Sequence, residues 1–249
     1  MITPVIFLGL AIGALTGFAG AGGAIITVPA LVYLVGLSLD AAISTSLLMG
    51  AVAPLAALAP RIKQRLVNWP VVVFVVVTGI PAAFGGTAVG KLLPQNELLL
   101  AFAALMVASG VQMLRPRPTR PGSERPRFWV LRALVLGASV GFLTGLFGVG
   151  GGFITVPALV LALDIPIGVA VGTSLAVALV NTLAGLIAHA GAAHPDWTVA
   201  IAFTVPSMIG AFLTARLAHK VSPKLLQRSF AILILAIAAM TGIQVLLTW

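Results

Sequence analysis

Thr16-Gly17-Phe18-Ala19-Gly20-Ala21-Gly22-Gly23-Ala24-Ile25-Ile26-Thr27-Val28-Pro29-Ala30-Leu31-Val32 is one of two copies of the same stretch. The other is Thr144-Gly145-Leu146-Phe147-Gly148-Val149-Gly150-Gly151-Gly152-Phe153-Ile154-Thr155-Val156-Pro157-Ala158-Leu159-Val160. The spacing that sets Thr16 on Thr144 persists beyond the stretch, since it also sets Thr45-Ser46-Leu47 on Thr173-Ser174-Leu175. The chain is therefore a duplicated unit, and each unit carries a glycine-rich break inside an apolar region.

Composition names the solvent of those apolar regions. Of 249 residues, 60% are hydrophobic and only 8% charged. Soluble domains carry roughly 25% charged residues. Apolar runs of about 18 residues or more read as membrane spans, and here they follow one another along the chain. A β-barrel requires alternation of polar and apolar residues, which Val71-Val72-Val73-Phe74-Val75-Val76-Val77 lacks. The expectation is an all-α polytopic membrane protein. The net charge of +9 does not point to nucleic acid, because the basic residues sit in short loops between apolar runs. There is no cysteine, which excludes disulfides and thiolate chemistry. Met1 to Leu39 holds no charged side chain, so the start of the chain lacks the basic region of a signal peptide and reads as part of the mature protein.

In the first unit, residues 4–20 and 24–37 flank the break and are each short for a hydrocarbon core of about 30 Å. They read as a helical hairpin or a pair of broken helices. Pro29 removes an N–H and leaves the Ile25 carbonyl without its helical partner. Such irregular backbone is tolerated at membrane depth only inside protein or along a wet cavity. Asp40 follows in a loop. Spans are expected over 42–60, 67–90 and 98–114, with Arg61, Lys63 and Arg65 forming a basic loop after the first. Residues 115–132 hold six arginines and four prolines and read as an extended linker. The second unit repeats the plan, with residues 133–148 and 153–163 around its break and spans over 167–188, 198–217 and 229–247. The domain expectation is thus a first membrane repeat over 1–114, a basic cytoplasmic linker over 115–132 and a second repeat over 133–249.

Loop charge predicts orientation. The loop after the first long span is basic in the first unit, whereas its counterpart over 189–197 has no Lys or Arg. The next loop holds only Lys91 in the first unit, but Arg216, Lys220, Lys224 and Arg228 surround its counterpart. A bias that swaps between equivalent loops signals inverted topology. Each repeat would then be a glycine-broken hairpin plus three transmembrane helices. This arrangement leaves thirteen of the fourteen Lys and Arg in the cytoplasm, with Lys91 outside and both termini outside.

Inverted repeats with broken helices near the midplane are an architecture of secondary transporters. Helix N-termini at a break offer free N–H groups and the positive end of a dipole, which suits an anion. The candidate substrate-binding residues are Gly22, Gly23, Thr27, Thr45 and Ser46 in the first unit. In the second they are Gly150, Gly151, Gly152, Thr155, Thr173, Ser174 and Asn181. The glycines equally suit close helix packing, and the hydroxyls suit interhelical bonds. Asn181 stands mid-span, where its amide needs a partner. Asp40 and Asp164 read as caps or surface residues, and His189 as interfacial. No cluster with metal spacing and no nucleophile–base pair is present, so neither cofactor nor metal is expected and the protein does not read as an enzyme. A Gly-Lys-Ser/Thr phosphate loop is also absent.

The repeated glycine-rich turn followed by Thr-Val-Pro-Ala-Leu, with Thr-Ser-Leu farther along each unit, resembles the sulfite exporter TauE/SafE family, also called the 4-toluene sulfonate uptake permease family. The second copy is the closer match; the first has Ala19, Ala21 and Ala24 where the second has Phe147, Val149 and Gly152. The resemblance implies transport of sulfite, a sulfonate or a related sulfur-containing or carboxylate anion across a bacterial inner membrane, with a proton or ion as a candidate coupling partner. A passive anion channel and a non-transporting scaffold are the alternatives.

Overall fold

The computed structural model describes residues 2–20, 24–90, 92–115, 128–147, 152–189 and 196–247. All regular structure among them is helical. In the first unit the helices are α1 (Ile2–Ala19), α2 (Ala24–Tyr33), α3 (Leu39–Lys63), α4 (Trp69–Gly90) and α5 (Gln95–Leu114). In the second they are α6 (Trp129–Phe147), α7 (Gly152–Ala162), α8 (Ile167–His189), α9 (Trp197–Leu217) and α10 (Pro223–Leu247), with a 3-10 turn over Ala218–Lys220. Five stretches are long and apolar enough to cross a membrane: Ser44–Lys63, Trp69–Gly90, Trp129–Leu146, Trp197–Leu217 and Pro223–Met240. Thr3–Ala19, Leu100–Leu114 and Ile167–Leu183 are apolar but shorter. α6 therefore differs from expectation, since it can cross by itself.

Helix boundaries depart from the sequence expectation where capping decides them. α3 begins earlier because Ser38 caps it, its hydroxyl accepting from the Ala41 N–H at 3.4 Å. Asp40 consequently lies in the first turn of a helix, not in a loop. At its other end α3 continues through Pro60 to Lys63, so Arg61 and Lys63 are helical as well. Pro29 does not interrupt α2, and Pro157 does not interrupt α7.

The duplication is visible in small details. After α2, the Leu37 N–H bonds the Leu31 carbonyl at 3.1 Å; after α7, the Ile165 N–H bonds the Leu159 carbonyl at 3.3 Å. This is the six-to-one closure of a Schellman motif. Gly36 and Asp164 occupy its left-handed position, with φ of 80° and 52°. Asn68 and Asp196, which the repeat sets at equivalent positions, cap α4 and α9. Their side-chain oxygens accept from Val71 N–H at 3.4 Å and from Thr198 N–H at 3.0 Å.

The two units interdigitate. α1 lies along α9, with Gly9 against Phe203, Gly13 against Ser207 and Gly17 against Ala211. The rising numbers mean that the two helices run parallel. α6 lies along α4 in the same way, with Gly141 on Gly79 and Gly145 on Ala83. At each crossing a Cβ would collide with the facing backbone, so glycine sets how closely the helices approach. Hydroxyls then bond across the seams: Thr214 donates to the Ala14 carbonyl and Thr78 to the Leu134 carbonyl, both at 2.9 Å. In contrast, α3 and α8 run antiparallel, since Thr182 packs on Gly50 while Arg61 reaches Gly168. So do α5 and α10, where Gly110 meets Leu235 and Gln227 Nε2 donates to the Met113 carbonyl at 2.6 Å. The buried core runs through α3 and α8, and large apolar side chains such as Phe7, Val77, Phe84 and Ile201 face outward, as lipid contact requires.

Gly141→Leu is expected to force α4 and α6 apart and destabilise the protein by at least ~1–3 kcal/mol, read as a lower thermal midpoint in detergent. Gly85 has open space where its Cβ would be. Gly85→Ala should leave the midpoint unchanged or raise it slightly, by up to ~1 kcal/mol from helix propensity.

Candidate functional site

The two breaks meet at one side chain. Ser174 is fully buried on α8, and its hydroxyl lies 2.8 Å from the Gly20 carbonyl and 3.3 Å from the Gly152 carbonyl. Gly20 is the last residue before the first break and has φ of 66°, a conformation that favours glycine. Gly152 is the first residue of α7, just after the second break. A single hydroxyl of the second unit therefore serves backbone groups at both interruptions. The N-terminus of α7, the positive end of its dipole, therefore lies beside Ser174.

The other candidate residues divide by role. Gly22, Gly23, Gly150 and Gly151 lie outside the described residues. Thr173 is a structural acceptor: the Asn68 backbone N–H donates to its hydroxyl at 3.0 Å, fastening the α3–α4 turn to α8. Thr45 holds the same position in the first unit, is also fully buried, and its hydroxyl has no partner among the described residues. Thr27 is buried, and its hydroxyl lies 3.6 Å from Met49 Sδ. Thr155 and Ser46 are buried as well. Asn181 is half-buried on α8, two turns beyond Ser174 and on the same face.

Two groups were missed. Thr144, at the repeat position of Thr16, has a buried hydroxyl with no partner among the described residues. It stood within the duplicated stretch and was legible there. The larger miss is Arg61, read as a loop cation. It is only 1% exposed. Its Nη2 donates to the Gly17 carbonyl at 3.3 Å and its Nη1 to the Gly168 carbonyl at 3.5 Å. The signal was helical periodicity, because Ala53, Ala57 and Arg61 fall on one face of α3. Beside this end of α3 lies a cavity of about 370 Å³ lined by Ala59, Pro60, Lys63, Gln64, Phe212 and Arg216. Among the described residues no group of His, Cys, Asp and Glu is arranged to hold a metal ion.

Residues 5–241 match the sulfite exporter TauE/SafE family. A probable membrane transporter protein of Xylella fastidiosa is 38% identical over 240 residues, covering 91% of this chain and 90% of the relative. The probable membrane transporter YunE of Bacillus subtilis is 28% identical over 243 residues, covering 88% and 89%. A probable membrane transporter of Methanocaldococcus jannaschii, MJ0441, is 24% identical over 263 residues, covering 99% and 96%. These are transporters and not enzymes, and the match runs through the apolar helices described above. The chain thus belongs to the sulfite exporter TauE/SafE family and is a multi-pass integral membrane transporter.

Proposed function

We propose that the protein is a secondary transporter for a small anion, such as sulfite, an organosulfonate or a related sulfur-containing or carboxylate anion, and that it works by alternating access. The observation that carries this reading is the Ser174 hydroxyl set between Gly20 and Gly152. Two interruptions that are remote in sequence converge on one buried point. A helix N-terminus and nearby hydroxyls bind an anion without a covalent step, and several such bonds, each on the order of 1.5–3 kcal/mol, offset desolvation while still permitting release.

Two inverted units, the first ending with α5 at Leu114 and the second opening with α6 at Trp129 rather than at residue 133, supply the moving parts, with a basic cytoplasmic linker between them. The antiparallel courses of α3 and α8, and of α5 and α10, support inversion, because each pair joins equivalent helices. The partner exchange supports it too: α1 lies on α9 while its equivalent α6 lies on α4. Loop charge then orients the basic ends of α3 and α9 toward the cytoplasm.

Orientation is tested by single cysteines in this cysteine-free chain, labelled from outside with a membrane-impermeant maleimide. Glu97→Cys and Ala193→Cys are expected to react, and Arg65→Cys and Ser222→Cys are not. Arg65 and Ala193 are equivalent positions, so identical labelling of the two sinks the inverted arrangement.

Transport is tested in proteoliposomes with sulfite, thiosulfate, sulfoacetate, sulfate and acetate, each with and without a proton gradient. Saturable flux of an unaltered anion is expected. Flux that never saturates identifies a channel, and no flux above empty liposomes identifies a scaffold. Gly151→Leu should abolish flux in folded protein. Ser174→Ala removes the donor that holds the Gly20 and Gly152 carbonyls, so it should cost ~1–3 kcal/mol of stability and weaken apparent affinity by displacing the breaks.

Thr45 and Thr173 separate binding from architecture. Thr173→Val removes the acceptor of the Asn68 N–H and should cost ~1–3 kcal/mol of stability. Thr45→Val removes a buried hydroxyl that has no partner among the described residues, so the thermal midpoint should hold or rise while apparent affinity falls. Equal loss of stability in both variants overturns the assignment of Thr45 to the anion.

A further inference from the structure

Arg61 sits near the cytoplasmic end of α3 in the proposed orientation, yet it points inward. It is 1% exposed, and among the described residues its bonded partners are the carbonyls of Gly17, in the last turn of α1, and Gly168, in the first turn of α8. Both bonds are long, and no carboxylate is bonded to it among the described residues. A guanidinium has five N–H donors; two are engaged here, and Nε is buried with no partner. A buried charge that lacks a counter-charge costs several kcal/mol unless something neutralises it. Carbonyl dipoles at a helix C-terminus help but do not cancel a full charge.

We propose that Arg61 is a binding residue for the transported anion, a charged station on the cytoplasmic side of the two breaks. The proposal rests on reading the substrate as an anion. Gly17 lies three residues before Gly20, whose carbonyl meets Ser174. Gly168 lies six residues before Ser174 on α8, a rise of about 9 Å. Arg61 thus flanks the break site at a distance an ion covers in one or two hops. On its other side, the turn carrying Pro60, Lys63 and Gln64 lines the cavity shared with Arg216. The free Nε–H and a neighbouring Nη–H present the parallel donor pair that matches two oxygens of a sulfite, sulfonate or carboxylate group. Arg61 is 1% exposed, so an oxyanion reaches this pair only when the packing around it opens, as a transport cycle requires. Arg61 then supplies the positive charge, and the hydroxyls and helix N-termini at the breaks supply the neutral donors.

The test separates binding from flux. Purified full-length protein is titrated with sulfite, sulfoacetate, sulfate and acetate, and the thermal midpoint is followed, since a ligand of the folded state raises it in a saturable way. Wild type is expected to be stabilised by at least one of these anions, and Arg61→Gln to lose that response or to need roughly tenfold more anion or beyond. Arg61→Lys keeps a cation for folding but offers no paired donors. It should bind roughly tenfold more weakly, and it decides the matter if Arg61→Gln does not fold. Arg115→Gln, at the exposed end of α5, should respond as wild type. In liposomes the Arg61 variants should raise KM; a merely structural role would lower the midpoint and the maximal rate with KM unchanged. Wild-type anion response in Arg61→Lys and Arg61→Gln overturns the proposal, as does absence of any anion response in wild type. Arg61-dependent anion binding without flux would leave this proposal standing and overturn the transporter mechanism instead.

Discussion

Interrupting a helix away from water leaves carbonyls and N–H groups that only the protein can satisfy. The structure depends on how that demand is met. Gly20 ends the first half-helix, and its carbonyl is taken by Ser174 from the other unit. Gly17, one turn earlier, and Gly168, at the start of α8, are both taken by Arg61. Through Ser174 with Gly20 and Arg61 with Gly168, the two units are joined beside the end of α1. An interruption that could have been a defect becomes a place where the two units bond to each other.

Close approach is the second constraint. α1 against α9 and α4 against α6 are parallel seams in which glycines meet facing backbone. In lipid, apolar side chains gain little by leaving one hydrocarbon for another, so tight van der Waals contact and interhelical hydroxyl bonds carry association. Thr78 and Thr214 make those bonds to carbonyls across the seams. Each seam joins one helix of the first unit to one of the second.

Duplication gave two scaffolds, but not two identical chemistries. The turns at Gly36 and Asp164 and the caps at Asn68 and Asp196 are near copies. The threonines are not: Thr173 receives the Asn68 N–H, while the Thr45 hydroxyl has no protein partner among the described residues. Arg61 stands where the second unit has His189. The two frames are near copies, and their polar groups are not.

The sequence by itself determined the class, the helices and the duplication. Apolar run length reports the solvent directly, and one constant spacing between the two copies marks the breaks as a pair. The glycine turn with its following Thr-Val-Pro-Ala-Leu carried the family, and loop charge carried the expected orientation. Tertiary structure alone decided which polar groups serve architecture. Thr45 and Thr173 are each followed by Ser-Leu, and only packing shows one of them holding the turn before α4. Arg61 sits among Lys63 and Arg65 in sequence, but the inward face of α3 buries it. The physical reason is range. Hydropathy and helix spacing act between near neighbours, whereas the partners of Arg61 lie 44 and 107 residues away and those of Ser174 lie 22 and 154 residues away. No local pattern encodes a hydrogen bond across that separation, and it exists only once the helices have packed.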